Sequence, residues 1–318
     1  MNKENFRIVF MGTPEFAKES LKIIVEEGFN VAAVVTAPDK PSGRGRKLQQ
    51  SAVKKFALEN DLPVLQPSNL KDPDFLSSLI KLKADLIAVV AFRMLPEVIW
   101  SMPQKGTINL HASLLPDYRG AAPINWVIMN GEKKTGITTF FIEKDIDTGN
   151  ILLQEEVDIP ETLNAGELHD RLMRKGGSLL VKTIEKIISR KIKSVPQKKN
   201  IRYKLAPKIY PQDCEIDWKN DFKSIYNQIR GLSPYPGAWT MIQTENDKNF
   251  TLKIFSAEYK SKSNDILEPI ILNDSNLSFS VKVPGGILNI LELQVPGKKK
   301  MNIQEFLRGN SIEGWKLL

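Results

Sequence analysis

Short apolar runs alternate with helical patterns through the first half of the chain, and this alternation constrains the fold more than any other feature. The runs are almost continuously apolar, which is typical of strands buried on both faces. They are Arg7–Phe10, Val31–Thr36, Ala84–Ala91, Thr107–Leu110 and Thr135–Ile142. The helical patterns include residues 14–27, closed by Gly28, and 52–60, with Ser51 as N-cap. The sequence therefore predicts an α/β fold with a Rossmann-like, mostly parallel sheet, and ligands at the carboxyl ends of its strands.

The pattern changes near Pro211. A helical stretch near 222–230 precedes several short strand-like runs separated by Pro-Gly turns, which is typical of a small sandwich or barrel. These runs are Thr251–Ala257, Ile266–Leu272, Ser278–Val283 and Gly286–Leu293. A long helical pattern over about 165–192 precedes them, followed by linker-like residues. We predict a first domain over 1–193, a basic linker over 194–210 and a second domain over 211–318.

The positive charge of the chain is concentrated in one stretch. The chain has a net charge of +8, and residues 182–208 contain ten basic residues against one acid, Glu185. This stretch therefore carries +9 and the rest of the chain about −1. A run of charged residues usually lies on a solvated surface. A run that carries all of the chain's excess positive charge instead favours an anionic partner such as a polyphosphate backbone.

Several classes of function find no support in the sequence. The single cysteine, Cys214, lies between two acids and offers neither a disulfide nor a reactive thiolate. There is no dinucleotide fingerprint or P-loop, and two histidines without companion cysteines do not predict a metal site. No apolar run reaches the roughly 18 residues that a membrane span needs, and no targeting segment is evident. We expect a cytoplasmic protein without metal or membrane contact, with a monomer as the default state.

An amide and an imidazole stand two residues apart at the end of an apolar run. On a strand, Asn109 and His111 would share one face and could converge on one substrate atom. The later sequence Asp145-Ile146-Asp147-Thr148-Gly149 offers a carboxylate to orient the imidazole, with Asp145 and Asp147 as rival candidates. An amide donor, an imidazole and a carboxylate are the groups that acyl transfer to an amine requires. His169 lies in a charged helical pattern and is expected to be structural.

These residues resemble the signature of the folate-dependent formyltransferases. The resemblance begins with Asn109–Pro116 followed by Arg119–Pro123, and it extends from about residue 6 to the end of the chain. Further matching segments are Met11–Ala17, Pro38–Lys47, Asp145–Gly149, Asp217-Trp218, Pro234–Trp239 and Pro296–Lys299. The basic loop and the C-terminal motifs are similar to those of family members that act on aminoacyl-tRNA.

The resemblance implies a fold, a reaction and a site. The fold would be a Rossmann-like domain joined by a basic linker to an OB-like, tRNA-binding barrel. The formyl donor would be 10-formyltetrahydrofolate, and the acceptor the α-amine of methionyl initiator tRNA. The site residues are expected to be Asn109, His111 and Asp147 for catalysis, Ser113, Leu114, Leu115 and Pro116 for folate, and Arg44, Arg46, Lys47 and Lys208 for tRNA.

One segment departs from the family pattern, and other interpretations stay open. Residues 91–96, with Phe92-Arg93, stand where the common form has a tyrosine-glycine pair, in a segment that lines the family's pterin pocket. A formyltransferase acting on a sugar nucleotide or on glycinamide ribonucleotide would share the catalytic residues. So would a hydrolase of formylfolate, whereas a non-enzymatic RNA-binding protein would not need them.

Overall fold

The computed structural model describes residues 2–42, 47–198, 202–261, 266, 268–273 and 278–318. The chain forms two compact units, and neither is one continuous stretch. The first unit comprises Met1–Gly120, Thr135–Asp158 and His169–Leu205, and the second comprises Ala121–Lys134, Ile159–Leu168 and Ala206–Leu318. The domain limits drawn from the sequence at residues 193 and 210 stay a prediction.

Strands and helices follow one another along the chain as the following bounds show. The strands are β1 Arg7–Gly12, β2 Asn30–Val35, β3 Lys40–Ser42, β4 Lys47–Gln49, β5 Val64–Leu65, β6 Leu86–Val90, β7 Thr107–His111, β8 Arg119–Gly120, β9 Lys134–Phe141, β10 Ile151–Asp158, β11 Leu205–Ala206, β12 Ala238–Gln243, β13 Asn249–Ser261, β14 Ile270–Asn273, β15 Phe279–Val283, β16 Gly286–Gln294, β17 Met301–Asn302 and β18 Lys316–Leu317. The helices are α1 Glu15–Glu26, α2 Ala52–Glu59, α3 Pro73–Lys81, α4 Glu97–Trp100, α5 Pro123–Met129, α6 Ala165–Ile188, α7 Phe222–Leu232 and α8 Ile303–Leu307. Among the described residues, no helix is long and apolar enough to cross a membrane.

A seven-stranded sheet in the order β10-β9-β7-β6-β1-β2-β5 forms the centre of the first unit. The pairs β1–β2, β1–β6, β2–β5 and β6–β7 are parallel, and β9 runs antiparallel to β7. The chain starts at β1, moves outward through β2 and β5, and returns to the other side of β1 with β6. In such sheets, ligands bind at the carboxyl ends of strands near this reversal, and β7 ends there beside β6.

Both faces of the sheet are covered, as the near-continuous apolar strands predict. Val9, Ile87 and Val89 belong to one buried cluster, which also includes residues of α3. On α1, Phe16, Leu21 and Ile24 are buried at helical spacing. Helix α6 comes very close to α1, since a Cβ on Gly177 would overlap the Ile23 side chain. A helix this close needs glycine at the contact.

The second unit is built on a second seven-stranded sheet. Six of its strands follow the order β14-β15-β16-β13-β12-β18, β17 pairs with β16, and the terminal strands β14 and β18 contact each other. The antiparallel sheet is thus nearly closed, with α7 packed against β13. Asp221 starts α7 by accepting hydrogen bonds from the backbone N–H groups of Lys223 and Ser224. The predicted fold class, a Rossmann-like domain with an OB-like barrel, is confirmed.

The observed helices and strands differ from the sequence prediction in several places. Helix α6 ends at Ile188 rather than near residue 192, because Arg190 takes a left-handed backbone (φ 57°) and the N–H of Lys191 bonds back to the carbonyl of Lys186. Val195, within the expected linker, forms an isolated bridge with Ile151 of β10. The sequence did not predict the strands β10 and β12, the short strands β3, β4, β5, β8, β11, β17 and β18, or the helices α3, α4, α5 and α8.

Candidate active site

The carboxyl end of β7 carries Asn109 and His111 on one face of the sheet. They pair with Phe140 and Thr138 of β9, which fixes their register. Asn109 is half-buried, and its side-chain amide has no hydrogen-bond partner among the residues that the structure describes. A half-buried amide without an internal partner is free to donate to a ligand.

His111 is buried, and both of its ring nitrogens face protein oxygens. Nε2 lies 2.8 Å from the carbonyl oxygen of Tyr118. A carbonyl oxygen only accepts, so Nε2 carries the hydrogen of this bond. Nδ1 lies 3.7 Å from Oδ2 of Asp147, which is beyond hydrogen-bond distance. The neutral ring therefore keeps a lone pair on Nδ1, beside a carboxylate.

The structure brings Asp147, and not Asp145, to the histidine. The Asp145 side chain is exposed, whereas Oδ2 of Asp147 accepts a hydrogen bond of 2.9 Å from the backbone N–H of Gly120. Asp147 has a left-handed backbone (φ 55°), which turns its side chain inward. Gly149 ends the turn in close contact with the backbone of Phe141, where any Cβ would overlap the carbonyl oxygen. Of the two candidate carboxylates, that of Asp147 is thus the one beside the imidazole.

The expected folate segment forms a tight turn directly after His111. Ser113 is fully buried, and its hydroxyl donates to the carbonyl oxygen of Asp117 at 2.7 Å. Leu115 is also buried, and its N–H donates to Thr138 Oγ1 at 3.2 Å. The side chains of Leu114 and Pro116 are half-buried. Ser113 and Leu115 therefore hold the turn, and Leu114 and Pro116 are the side chains left for a ligand.

Two features of the site were missed by sequence reasoning. Gln197, within the expected linker, is buried and donates to the carbonyl oxygens of Asp147 and Gly149. Arg119 donates to Gln197 and stacks over the Tyr203 ring, 4.7 Å from its centroid. The only sequence signal was an amide in a lysine-rich stretch, which has no distinctive spacing.

The departure at Phe92-Arg93 has a structural use. Arg93 donates to the backbone carbonyls of Pro67, at 2.5 Å, and of Ser68, at 2.9 Å, and its guanidinium lies 5.4 Å from the Phe92 ring centroid. The arginine thus ties the segment after β6 to the segment after β5. Among the described residues, no group of three or more His, Cys, Asp or Glu side chains could hold a metal ion.

The expected tRNA-contacting residues are placed only in part. Arg44 and Arg46 lie outside the described residues, and of Lys47 only the backbone is described, paired with Ser42 in the β3–β4 hairpin. Lys208 is exposed, with Nζ 5.3 Å from the Tyr210 ring centroid. The described basic residues of 182–208 are all exposed, and they are Lys182, Lys186, Arg190, Lys191, Lys193, Lys198, Arg202, Lys204 and Lys208.

Comparison with known protein families shows to which family the chain belongs. A family model described as formyl transferase matches residues 6–184, and one described as formyl transferase, C-terminal domain, matches residues 208–311. The chain belongs to the formyl transferase family. The predicted resemblance is therefore confirmed over both parts of the chain.

Formyl transferases among the curated relatives match nearly the whole chain. The methionyl-tRNA formyltransferase of Bacteroides fragilis is 50% identical over 97% of this chain and 96% of its own. That of Bacteroides thetaiotaomicron is 48% identical over 100% of both chains, and that of Phocaeicola vulgatus is 51% identical over 97% of both.

Solved structures share the fold at lower identity. WlaRD, a sugar 3N-formyl transferase, has a TM-score of 0.64 at 22% identity, over 92% of this chain and 99% of its own. HypX from Aquifex aeolicus, solved with tetrahydrofolic acid, has a TM-score of 0.63 at 17% identity, over 98% of this chain and 48% of its own.

Proposed function

We propose that the protein transfers the formyl group of 10-formyltetrahydrofolate to the α-amine of methionyl initiator tRNA, giving N-formylmethionyl-tRNA for translation initiation. One observation carries the proposal: identity near 50% over almost the full length, including the C-terminal domain, to relatives named methionyl-tRNA formyltransferase. The arrangement of His111 and Asp147 beside Asn109 supports the same chemistry. The protein would work in the cytoplasm as a monomer.

Asn109 stabilises the charge that develops on the formyl oxygen. Its amide lies on the same face of β7 as His111 and has no internal partner among the described residues. As the acceptor amine attacks the formyl carbon, negative charge builds on the oxygen, and a fixed donor lowers the energy of that state.

His111 accepts the proton that the attacking amine loses and returns it to N10 of the folate as the bond between N10 and the formyl carbon breaks, so that tetrahydrofolate leaves. The hydrogen bond from Nε2 to the Tyr118 carbonyl holds the tautomer in which Nδ1 has the lone pair. The imidazolium that forms then lies 3.7 Å from the Asp147 carboxylate, which stabilises it. The tautomer set by Tyr118 favours a role as base for His111 over a role as hydrogen-bond donor to the formyl oxygen.

The segment from Ser113 to Pro116 shapes the folate site. Ser113 and Leu115 act through the turn that they hold, since both side chains are buried. The half-buried Leu114 and Pro116 provide apolar contact with the donor. Substitution of Leu114 by Asp should therefore raise KM for the folate more than KM for tRNA.

The basic residues bind the RNA backbone. Arg44, Arg46 and Lys47, together with the exposed lysines and arginines of 182–208, including Lys208, would contact phosphates. Each neutralised phosphate releases condensed counterions, so the affinity for tRNA should fall steeply as salt is raised. Arg44→Ala should weaken the use of methionyl-tRNA far more than folate binding.

The test is to incubate the purified protein with 10-formyltetrahydrofolate and methionyl initiator tRNA, and to measure N-formylmethionyl-tRNA. His111→Ala should lose turnover but keep tRNA binding. His169→Ala is the matched control, because His169 lies on α6 at the edge of a Phe16 ring and should leave turnover intact. Transfer to a sugar-linked amine, or release of free formate, without formylated tRNA would show a sister formyltransferase or a hydrolase. RNA binding without folate consumption would overturn the enzymatic assignment.

A further inference from the structure

Gln197 is a buried side chain within an exposed, charged stretch. It is 7% exposed, while its neighbours Pro196 and Lys198 are exposed. An amide removed from water in such surroundings needs hydrogen-bond partners for all of its polar atoms. The partners of Gln197 indicate what it does.

The Gln197 amide connects two loops of the site. Nε2 donates to the carbonyl oxygens of Asp147, at 2.9 Å, and of Gly149, at 2.8 Å. Oε1 accepts from Nε and Nη2 of Arg119, at 3.2 and 2.5 Å. An arginine only donates and a carbonyl oxygen only accepts, so these partners allow one orientation of the amide. Gln197 is thus held firmly on both sides.

Both loops that Gln197 connects contribute to the placement of the Asp147 carboxylate. One loop contains Asp147 itself, in its left-handed conformation. The other contains Arg119, followed directly by Gly120, whose N–H donates to Asp147 Oδ2. That same oxygen faces His111. Gln197 therefore stabilises the hydrogen bond between Gly120 and Asp147, on which the distance from His111 to Asp147 depends. It acts on His111 only through Asp147.

We infer that Gln197 is a positioning residue for the formyl transfer. It holds the Asp147 loop against the Arg119–Gly120 strand and so keeps the carboxylate beside the imidazole. The inference rests on the proposed function. Gln197 also lies within residues 182–208, the stretch proposed to contact tRNA, so the segment that receives the acceptor holds the loop that supplies the carboxylate.

Two variants of Gln197 separate its donors from its acceptor. Gln197→Glu keeps an oxygen for Arg119 but places a second one against the carbonyls of Asp147 and Gly149. Gln197→Met keeps the approximate shape and removes all three partners. Misplacement by about 1 Å can cost on the order of a hundredfold in rate. We expect kcat to fall roughly 10- to 100-fold in Gln197→Glu, with KM for both substrates within about threefold of wild type.

A matched control is available in the second unit. Gln228 donates through Nε2 to the carbonyl oxygens of Asp213, at 3.2 Å, and of Glu215, at 2.8 Å. Gln228→Glu breaks a similar pair of bonds to backbone carbonyls, within the second unit. It should lower thermal stability but leave kcat within about twofold, because neither Asp213 nor Glu215 is a residue of the site.

A double-mutant cycle with Asp147→Asn completes the test. If Gln197 acts through Asp147, adding Gln197→Glu to Asp147→Asn should cost less than about twofold more in kcat. Fully additive losses, a rise in KM with unchanged kcat, or an equal loss in Gln228→Glu would overturn the inference. Absence of transfer by the wild-type protein would instead overturn the proposed function. The rate of formyl transfer by the wild-type protein thus tests the proposed function, and the ratio of kcat between variant and wild type tests the role of Gln197.

Discussion

Nδ1 of His111 lies 3.7 Å from Oδ2 of Asp147. The distance is too long for a hydrogen bond and short enough for strong charge stabilisation within a buried site. The proposed role of His111 as a base rests on this contact.

Asp147→Asn should lower kcat by about a hundredfold or more, since the imidazolium loses its counter-charge. Asparagine tolerates the left-handed backbone at this position, and its oxygen can still accept from Gly120. The exposed Asp145 supplies the control, because Asp145→Asn should leave steady-state formylation unchanged. Equal losses in both variants would contradict the assignment.

Asn109→Asp should reduce kcat by about 100- to 1000-fold, because the variant replaces a donor to the developing oxyanion by a carboxylate. Since the Asn109 side chain has no partner among the described residues, the melting temperature should change little. Single-turnover formylation and a thermal melt together check this. A large drop in melting temperature would show that Asn109 is structural.

Gly149→Ala should destabilise the protein by roughly 3 kcal/mol or more, because the added methyl group overlaps the Phe141 carbonyl oxygen. Gly309→Ala is the comparison, since no atom lies within 4 Å of a Cβ there. Urea unfolding should show a change below about 1 kcal/mol for that control. Similar midpoints for the two variants would refute the close contact.

Acid should weaken the base of the β3–β4 hairpin. A hydrogen bond from Lys54, then one from Gln66, holds the pKa of Asp39 below its ordinary value. A lowered pKa in the folded state means that the contribution is complete above the unfolded value and is lost as pH falls through the folded one. Comparing the wild type with Asp39→Asn by urea unfolding between pH 7 and pH 2 tests this. The difference in unfolding free energy should shrink below about pH 4; a constant difference would show that the charge is irrelevant.

Cys214 should react slowly with thiol reagents while the protein is folded. Burial, and then the charge of Asp213, raises the pKa of the thiol, which keeps it protonated at neutral pH. Labelling by 5,5′-dithiobis(2-nitrobenzoate) at pH 7 should be slow in the native state and fast in urea. Fast native labelling would mean that Cys214 is accessible as a thiolate.

Periodicity predicted the sheet of the first unit well, because strands buried on both faces must be apolar throughout. Strand β10 escaped prediction because half of its residues are polar (Gln154, Glu155, Glu156 and Asp158), so no continuous apolar run marks it, and only Leu152 and Val157 are buried. The spacing of Asn109 and His111 was enough to predict that their side chains lie on one face of the same strand. The choice of Asp147 over Asp145 could not be predicted, since it depends on one left-handed residue. The position of Gln197 in the site could not be predicted either. It depends on a contact between residues 147 and 197, which are far apart in the sequence, and such a contact leaves no local sequence pattern.

The discontinuity of the two units sets an order of events during synthesis. Helix α5 belongs to the second unit, and Asn125 donates to the carbonyl of Gly231, 106 residues further along the chain. When α5 leaves the ribosome, its partner helix α7 has not yet been made. During synthesis, residues 121–134 and 159–168 must therefore remain without their packing partners while the strands on either side of them assemble into the sheet of the first unit. A chain cut after residue 205 would carry both segments permanently without the unit to which they belong, so the N-terminal part should be prone to aggregation when it is expressed alone.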